Sequence, residues 1–112
     1  MFVHSKIELR KAIVAEKQLK RAHLHISGRV QGVNFRYYTR QQAESLGIVG
    51  WVRNLFDRRV EPIFEGNEIT IQQMIDWCRQ GPSAARVDHV ELQWEEATGE
   101  FSNFEIKRTF GW

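Results

Sequence analysis

The sequence predicts one α+β domain in which two helices pack on one face of a mostly antiparallel sheet, with an extra strand at the C-terminal end. Three observations predict it. Short stretches alternate apolar and polar residues, two longer stretches place apolar residues at helical spacing, and the order along the chain is strand, helix, strand, strand, helix, strand. A chain of 112 residues can build one hydrophobic core and is too short for two domains of ordinary size.

Residues 1–20 show no clean period. Lys6, Arg10, Lys11, Lys17, Lys20 and Arg21 outweigh Glu8 and Glu16, giving the first 21 residues about +4 and leaving the remainder about −2. We read 1–20 as a basic N-terminal extension, mobile or loosely docked, and 21–112 as the domain. From Ala22, Leu24 and Ile26 alternate with His23, His25 and Ser27, the period of a half-buried strand. A loop with Gly28 and Gly32 then feeds a helix on which Phe35, Tyr38, Gln42, Ala43 and Leu46 recur, ended by Gly47. Ile48 to Asn54 and Arg59 to Glu65 read as a hairpin around Leu55 to Arg58. Asn67 can cap a second helix whose Ile71, Met74, Ile75 and Cys78 form one face, ended by Gly81-Pro82. Val90, Leu92 and Trp94, then Phe104 and Ile106, alternate as two further strands. This order is the split β-α-β, or ferredoxin-like, sandwich. Right-handed crossovers bring the end of the first strand, the start of the first helix and the end of the second strand to one sheet edge.

Composition narrows the function classes. Cys78 is the single cysteine, so no internal disulfide forms, and a cytoplasmic location is expected. Ala12-Ile13-Val14-Ala15 is too short for an export or membrane segment. The basic pI comes from the extension rather than the domain, which argues against a nucleic-acid partner; Arg59 to Glu65 also lacks the aromatic, basic signature of RNA-binding sheets.

The segment Gly28-Arg29-Val30-Gln31-Gly32-Val33-Asn34-Phe35-Arg36 runs from a strand into a helix start, where backbone N–H groups and the helix dipole favour an anion. Gly32 can turn successive N–H groups inward, and Arg36 adds a planar charged fork matched to phosphate oxygens. With Gly50-Trp51-Val52-Arg53-Asn54 further on, the sequence closely resembles the acylphosphatase family over about Ala22 to Arg108, including Val60, Gly66, Gly81-Pro82, Ala85 and Val87.

The resemblance implies hydrolysis of acyl phosphates, which are carboxylic-phosphoric anhydrides, to a carboxylate and inorganic phosphate, with no cofactor and no metal. It implies that Arg36 binds phosphate, that Asn54 orients the attacking water, and that Gln31, Gly32, Val33, Asn34 and Phe35 complete the cradle. The expected partner is the small-molecule substrate, taken by a monomer. The alternative is a non-catalytic phosphate- or carbamoyl-phosphate-binding accessory domain, as found at the head of larger hydrogenase-maturation proteins.

Other residues carry blander readings. His23 and His25 share a strand face, but no third ligand has matching spacing, so they read as a solvated face rather than a metal site. Cys78 reads as a packing thiol, and Trp51, Trp77 and Trp94 as core or near-core. Arg58 stands where the family usually has glycine, which puts the turn in question. Pro62 suggests a bulge or a locally unpaired edge in the third strand. The tail Thr109-Phe110-Gly111-Trp112 runs past the usual family end.

Overall fold

The structure is a computed structural model that describes residues 19–111. The extension expected over 1–20 therefore lies outside the described residues up to Gln18, as does Trp112. The elements are β1 (Leu19–Arg29), α1 (Phe35–Ser45), β2 (Val49–Asn54), β3 (Val60–Asn67), α2 (Glu68–Gln80), β4 (Arg86–Glu95) and β5 (Phe104–Ile106). Sheet order is β4-β1-β3-β2-β5, antiparallel except for the β2–β5 pair. This is the ferredoxin-like plan with one parallel edge strand added. β1 begins three residues before the alternation becomes legible, with Leu19 opposite Asn67.

Ala22, Leu24 and Ile26 of β1 are fully buried and pack with Val52, Phe64, Ile71, Met74 and Cys78 between sheet and helices. The α2 face is the expected one, and burial pushes the Cys78 thiol well above its ordinary pKa. Asn67 caps α2 by accepting the Ile69 N–H at 2.9 Å. On α1 the buried face is Phe35, Thr39 and Ala43, whereas Tyr38 is 41% exposed. Trp94 is a further correction: it stands near the end of the edge strand β4 and is 38% exposed.

Pro62 forms no bulge, but it leaves β3 locally unpaired on the side facing β1, even though β3 is the central strand. Its partner toward β2 is Val52, while β1–β3 pairing skips from His23–Ile63 to Ile26–Val60 without a change of register. The missing proline N–H is absorbed as a local gap in the ladder.

The β2–β3 turn resolves the question at Arg58. Leu55 C=O accepts Arg58 N–H at 3.1 Å, Leu55 N–H donates to Arg59 C=O at 2.8 Å, and Arg58 has φ 78°. This is a turn closed by a left-handed residue, where glycine is favoured. Asp57 holds it by accepting the Arg59 backbone N–H at 3.1 Å and its Nε at 2.8 Å. Replacing Arg58 by glycine removes a left-handed cost on the order of 1–2 kcal/mol, offset in part by the greater freedom of the unfolded chain. A net gain of about 1 kcal/mol would raise Tm by about 4–8 °C in a domain of this size, and a thermal melt of Arg58→Gly against the parent checks it.

The sheet face away from the helices is polar yet partly buried. Glu65, 4% exposed, accepts the Thr98 N–H at 3.0 Å, the Gly99 N–H at 3.1 Å and Arg21 Nε at 2.8 Å. Burial pushes its pKa up, but those hydrogen bonds and the Arg21 charge outweigh it and leave it below the usual carboxylate range. A depressed folded pKa gives stability that is complete above the unfolded value of about 4.3 and is lost as pH falls through the folded one. Urea midpoints should therefore decline from about pH 4.5 downward. Glu65→Gln should be less stable near neutrality and show a shallower acid decline; an unchanged acid limb would contradict this assignment.

Candidate active site

Strand β1 delivers the chain into the loop Val30 to Asn34, and the loop is anchored by its apolar members. Val30, Val33 and Phe35 are buried in the core, so Gly32 and Asn34 are left facing outward. Both are left-handed, Gly32 with φ 75° and Asn34 with φ 63°. An alanine at Gly32 would meet nothing within 4 Å, so conformation rather than space selects glycine there. Asn34 caps α1 without a side-chain hydrogen bond, and the Tyr38 N–H reaches back to Asn34 C=O at 3.1 Å. By helix geometry the N–H groups before Tyr38 have no carbonyl one turn back and point out of the helix end.

That end faces a cavity of about 200 Å³. Gln31, Gly32, Asn34, Phe35 and Arg36 line it, and Asn54, the last residue of β2, completes it from the neighbouring strand end. The two positions singled out in the sequence, Arg36 and Asn54, thus share one cavity. Val33 does not line it; its side chain belongs to the core. Sequence reasoning missed Val30, Tyr37 and Ile106, which close its walls. Ile106 had no local signal, since it arrives through the parallel pairing of β5 with β2 at Val52.

Arg36 pairs with no carboxylate among the described residues. The lining contains no carboxylate or imidazole, so one unpaired guanidinium and a helix N-terminus set a positive field. Asn54 Oδ1 is buried and has no hydrogen-bond partner among the described residues. A buried amide oxygen without a partner costs roughly 1–3 kcal/mol, which marks it as an acceptor available to a group entering the cavity. The arrangement can hold a compact anion against Arg36 and the helix end while a hydrogen-bond donor rests on Asn54.

Gln31 has a second task. Its Nε2 donates to Leu55 C=O at 2.8 Å and to Arg59 C=O at 3.0 Å, tying the loop to the hairpin that follows Asn54. The C-terminal tail secures the other side. Phe110 N–H donates to Asn54 C=O at 3.0 Å and Phe110 C=O accepts the Phe56 N–H at 3.1 Å. The Phe110 ring lies 4.1 Å from the Arg53 guanidinium, which also stacks on Trp51 at 4.4 Å. Gln31→Ala removes two hydrogen bonds whose acceptors keep other donors, so a stability loss of about 1–2 kcal/mol is expected. Turnover should fall more than that loss explains, because loop and Asn54 lose their fixed spacing; steady-state kinetics on folded protein measures it.

The family model for acylphosphatase matches residues 22–106. An acylphosphatase of Roseiflexus sp. (strain RS-1) is 54% identical over 88 residues, 79% of this chain and 95% of that protein. One of Chloroflexus aurantiacus is 56% identical over 88 residues, 79% of this chain and 96% of that protein. Among solved structures, an acylphosphatase from Coxiella burnetii superposes with TM-score 0.78 at 34% identity, over 83% of this chain and 97% of that chain.

Proposed function

Since the chain belongs to the acylphosphatase family and hydrolyses acyl phosphates to a carboxylate and inorganic phosphate, we propose that Arg36 and the 31–36 backbone bind the phosphoryl group and Asn54 orients the attacking water. The observation that carries this division of roles is one cavity holding an unpaired guanidinium and an unpaired amide oxygen with no carboxylate or imidazole in its lining. In the reaction a water oxygen bonds to phosphorus as the bond from phosphorus to the acyl oxygen breaks. The departing electron pair stays on a carboxylate. Its conjugate acid has a pKa of about 4–5, so departure needs no general acid.

What remains is orientation and charge. Asn54 Oδ1 accepts a hydrogen bond from the water and aims its lone pair, which turns an encounter into an in-line approach. Arg36 and the N–H groups at the start of α1 stabilise the equatorial oxygens as charge spreads over them. The water's protons leave to a phosphate oxygen or to solvent. Because every contact falls on the phosphoryl group, the acyl part is left free to vary. The Roseiflexus protein is matched over 95% of its length, and no observation favours the accessory-domain alternative. Monomeric action and a cytoplasmic location belong to the proposal, resting on a cavity lined by one chain and on the single cysteine.

The test is hydrolysis of a simple aryl acyl phosphate in EDTA against an enzyme-free blank. Arg36→Ala and Asn54→Ala should each fall about 100-fold or more in kcat/KM, the usual size for losing one oriented transition-state contact, with circular dichroism unchanged. Parental turnover in either folded variant would remove that residue from its role.

A further inference from the structure

The outer sheet face holds a cluster that the hydrolysis does not use. His23 and His25 alternate on β1, so both rings stand on the face opposite the buried Ala22, Leu24 and Ile26. The sequence offers no third ligand by spacing, but the fold supplies one from the neighbouring strand. Glu61 lies one position from the Ile26–Val60 pair, and its Oε2 is 2.6 Å from His23 Nε2 and 3.5 Å from His25 Nε2. One ligand atom from each residue falls within a 4.8 Å triangle. We propose that His23, His25 and Glu61 form a binding site for a divalent transition-metal ion, zinc in the first instance.

Ligand spacing supports the assignment. With bonds of about 2.0–2.2 Å, neighbouring ligand atoms in a tetrahedral zinc site lie about 3.3 Å apart. The His25–Glu61 contact already has that separation, and small ring rotations would open the His23–Glu61 contact and draw the two imidazoles together. The outer contacts are suited to the task as well. His23 Nδ1 is 3.0 Å from Glu95 Oε2, the carboxylate-imidazole arrangement that directs Nε2 toward a metal. Each ring nitrogen of His23 faces a carboxylate oxygen; the imidazolium donates to both, whereas the neutral ring with its N–H on Nδ1 leaves the Nε2 lone pair for a metal ion. A metal ion binding there would displace the proton that Nε2 and Glu61 Oε2 share at 2.6 Å.

Arg53 Nε occupies the other Glu61 oxygen, Oε1, at 2.6 Å, which fixes the carboxylate and leaves Oε2 as a single donor. Glu91, directly across β4 from His25, adds negative charge at the rim. Two imidazole nitrogens and one carboxylate oxygen suit zinc, cobalt, nickel or copper, whereas magnesium and calcium prefer all-oxygen shells. Three protein ligands on a half-buried face leave a fourth position for water. None of the three lines the 200 Å³ cavity, so the site stands apart from the hydrolytic one.

The experiment is a zinc chloride titration of the full-length, EDTA-stripped protein against a chromophoric chelator, with cobalt absorption as a second readout. The chain's other histidines are His4 and His89. One equivalent should bind saturably, raise Tm, and be retained in a His4→Ala/His89→Ala variant. His25→Gln, on the more exposed ligand, should keep the fold and weaken binding at least tenfold, as should His23→Gln. Absence of saturable binding to the parent, or parental affinity in both folded His23→Gln and His25→Gln, would overturn the proposal.

Discussion

The Gln31 side chain is the interaction on which the site depends. A phosphate loop entering a helix and the far end of a strand are separate pieces of chain, and sheet order brings them only into the same neighbourhood. Gln31 Nε2, bonded to Leu55 C=O and Arg59 C=O, converts that neighbourhood into a fixed spacing. Both acceptors belong to the turn that begins just after Asn54, so the bridge spans the gap between anion cradle and amide. Val30 and Val33, buried on either side of Gln31, prevent the loop from following its own tether outward. Apolar anchoring fixes the depth of the loop, and one side-chain amide that donates both its hydrogens fixes its reach.

The same economy governs the outer sheet face. β3 is central and buried on both sides, yet it carries Glu61 and Glu65. A buried carboxylate is tolerated where donors replace water. Glu65 takes them from Arg21 and from the Thr98–Gly99 backbone, which clips the β4–β5 connection onto the sheet. For Glu61, burial again pushes the pKa up, and Arg53 and His23 more than reverse it. Arg53 in turn lies against the rings of Trp51 and Phe110, so the tail is attached to the strand that ends in Asn54. Polar groups on this face thus secure the connections that the apolar core does not touch.

Much of this could be read from the chain. Alternation located β1 and β4, Asn67 announced α2, and the spacing of Arg36 and Asn54 across a strand-helix-strand unit implied that they would meet. The failures share a cause. Periodicity reports how residues within one element face, so it assigned Tyr38 rather than Thr39 to the recurring α1 pattern and placed Trp94 inward without knowing that β4 is an edge strand. It is also blind to what a neighbouring strand supplies. Glu61 beside His23 and His25, Ile106 in the cavity wall and Phe110 on Arg53 are all consequences of pairing between strands distant in sequence. At Pro62 the local rule held in part, since the proline leaves the ladder unpaired toward β1, while the register continues with no bulge.

Among the described residues two that are not glycine hold left-handed conformations, Asn34 in the cradle and Arg58 in the turn after Asn54. Asparagine bears that geometry at small cost, whereas an arginine there costs on the order of 1–2 kcal/mol. Where glycine occupies such a turn, its backbone alone can adopt the shape. With Arg58 the shape must be imposed, and the imposing groups are visible: Asp57 on Arg59, Gln31 on Leu55 and Arg59, and Phe110 on Asn54 and Phe56. Each of these contacts holds the turn, and those of Gln31 and Phe110 also hold Asn54 in place. The turn can therefore carry its strained residue because the site already requires the surrounding contacts, and rigidity at the end of β2 comes from side chains rather than from the turn's own backbone preference.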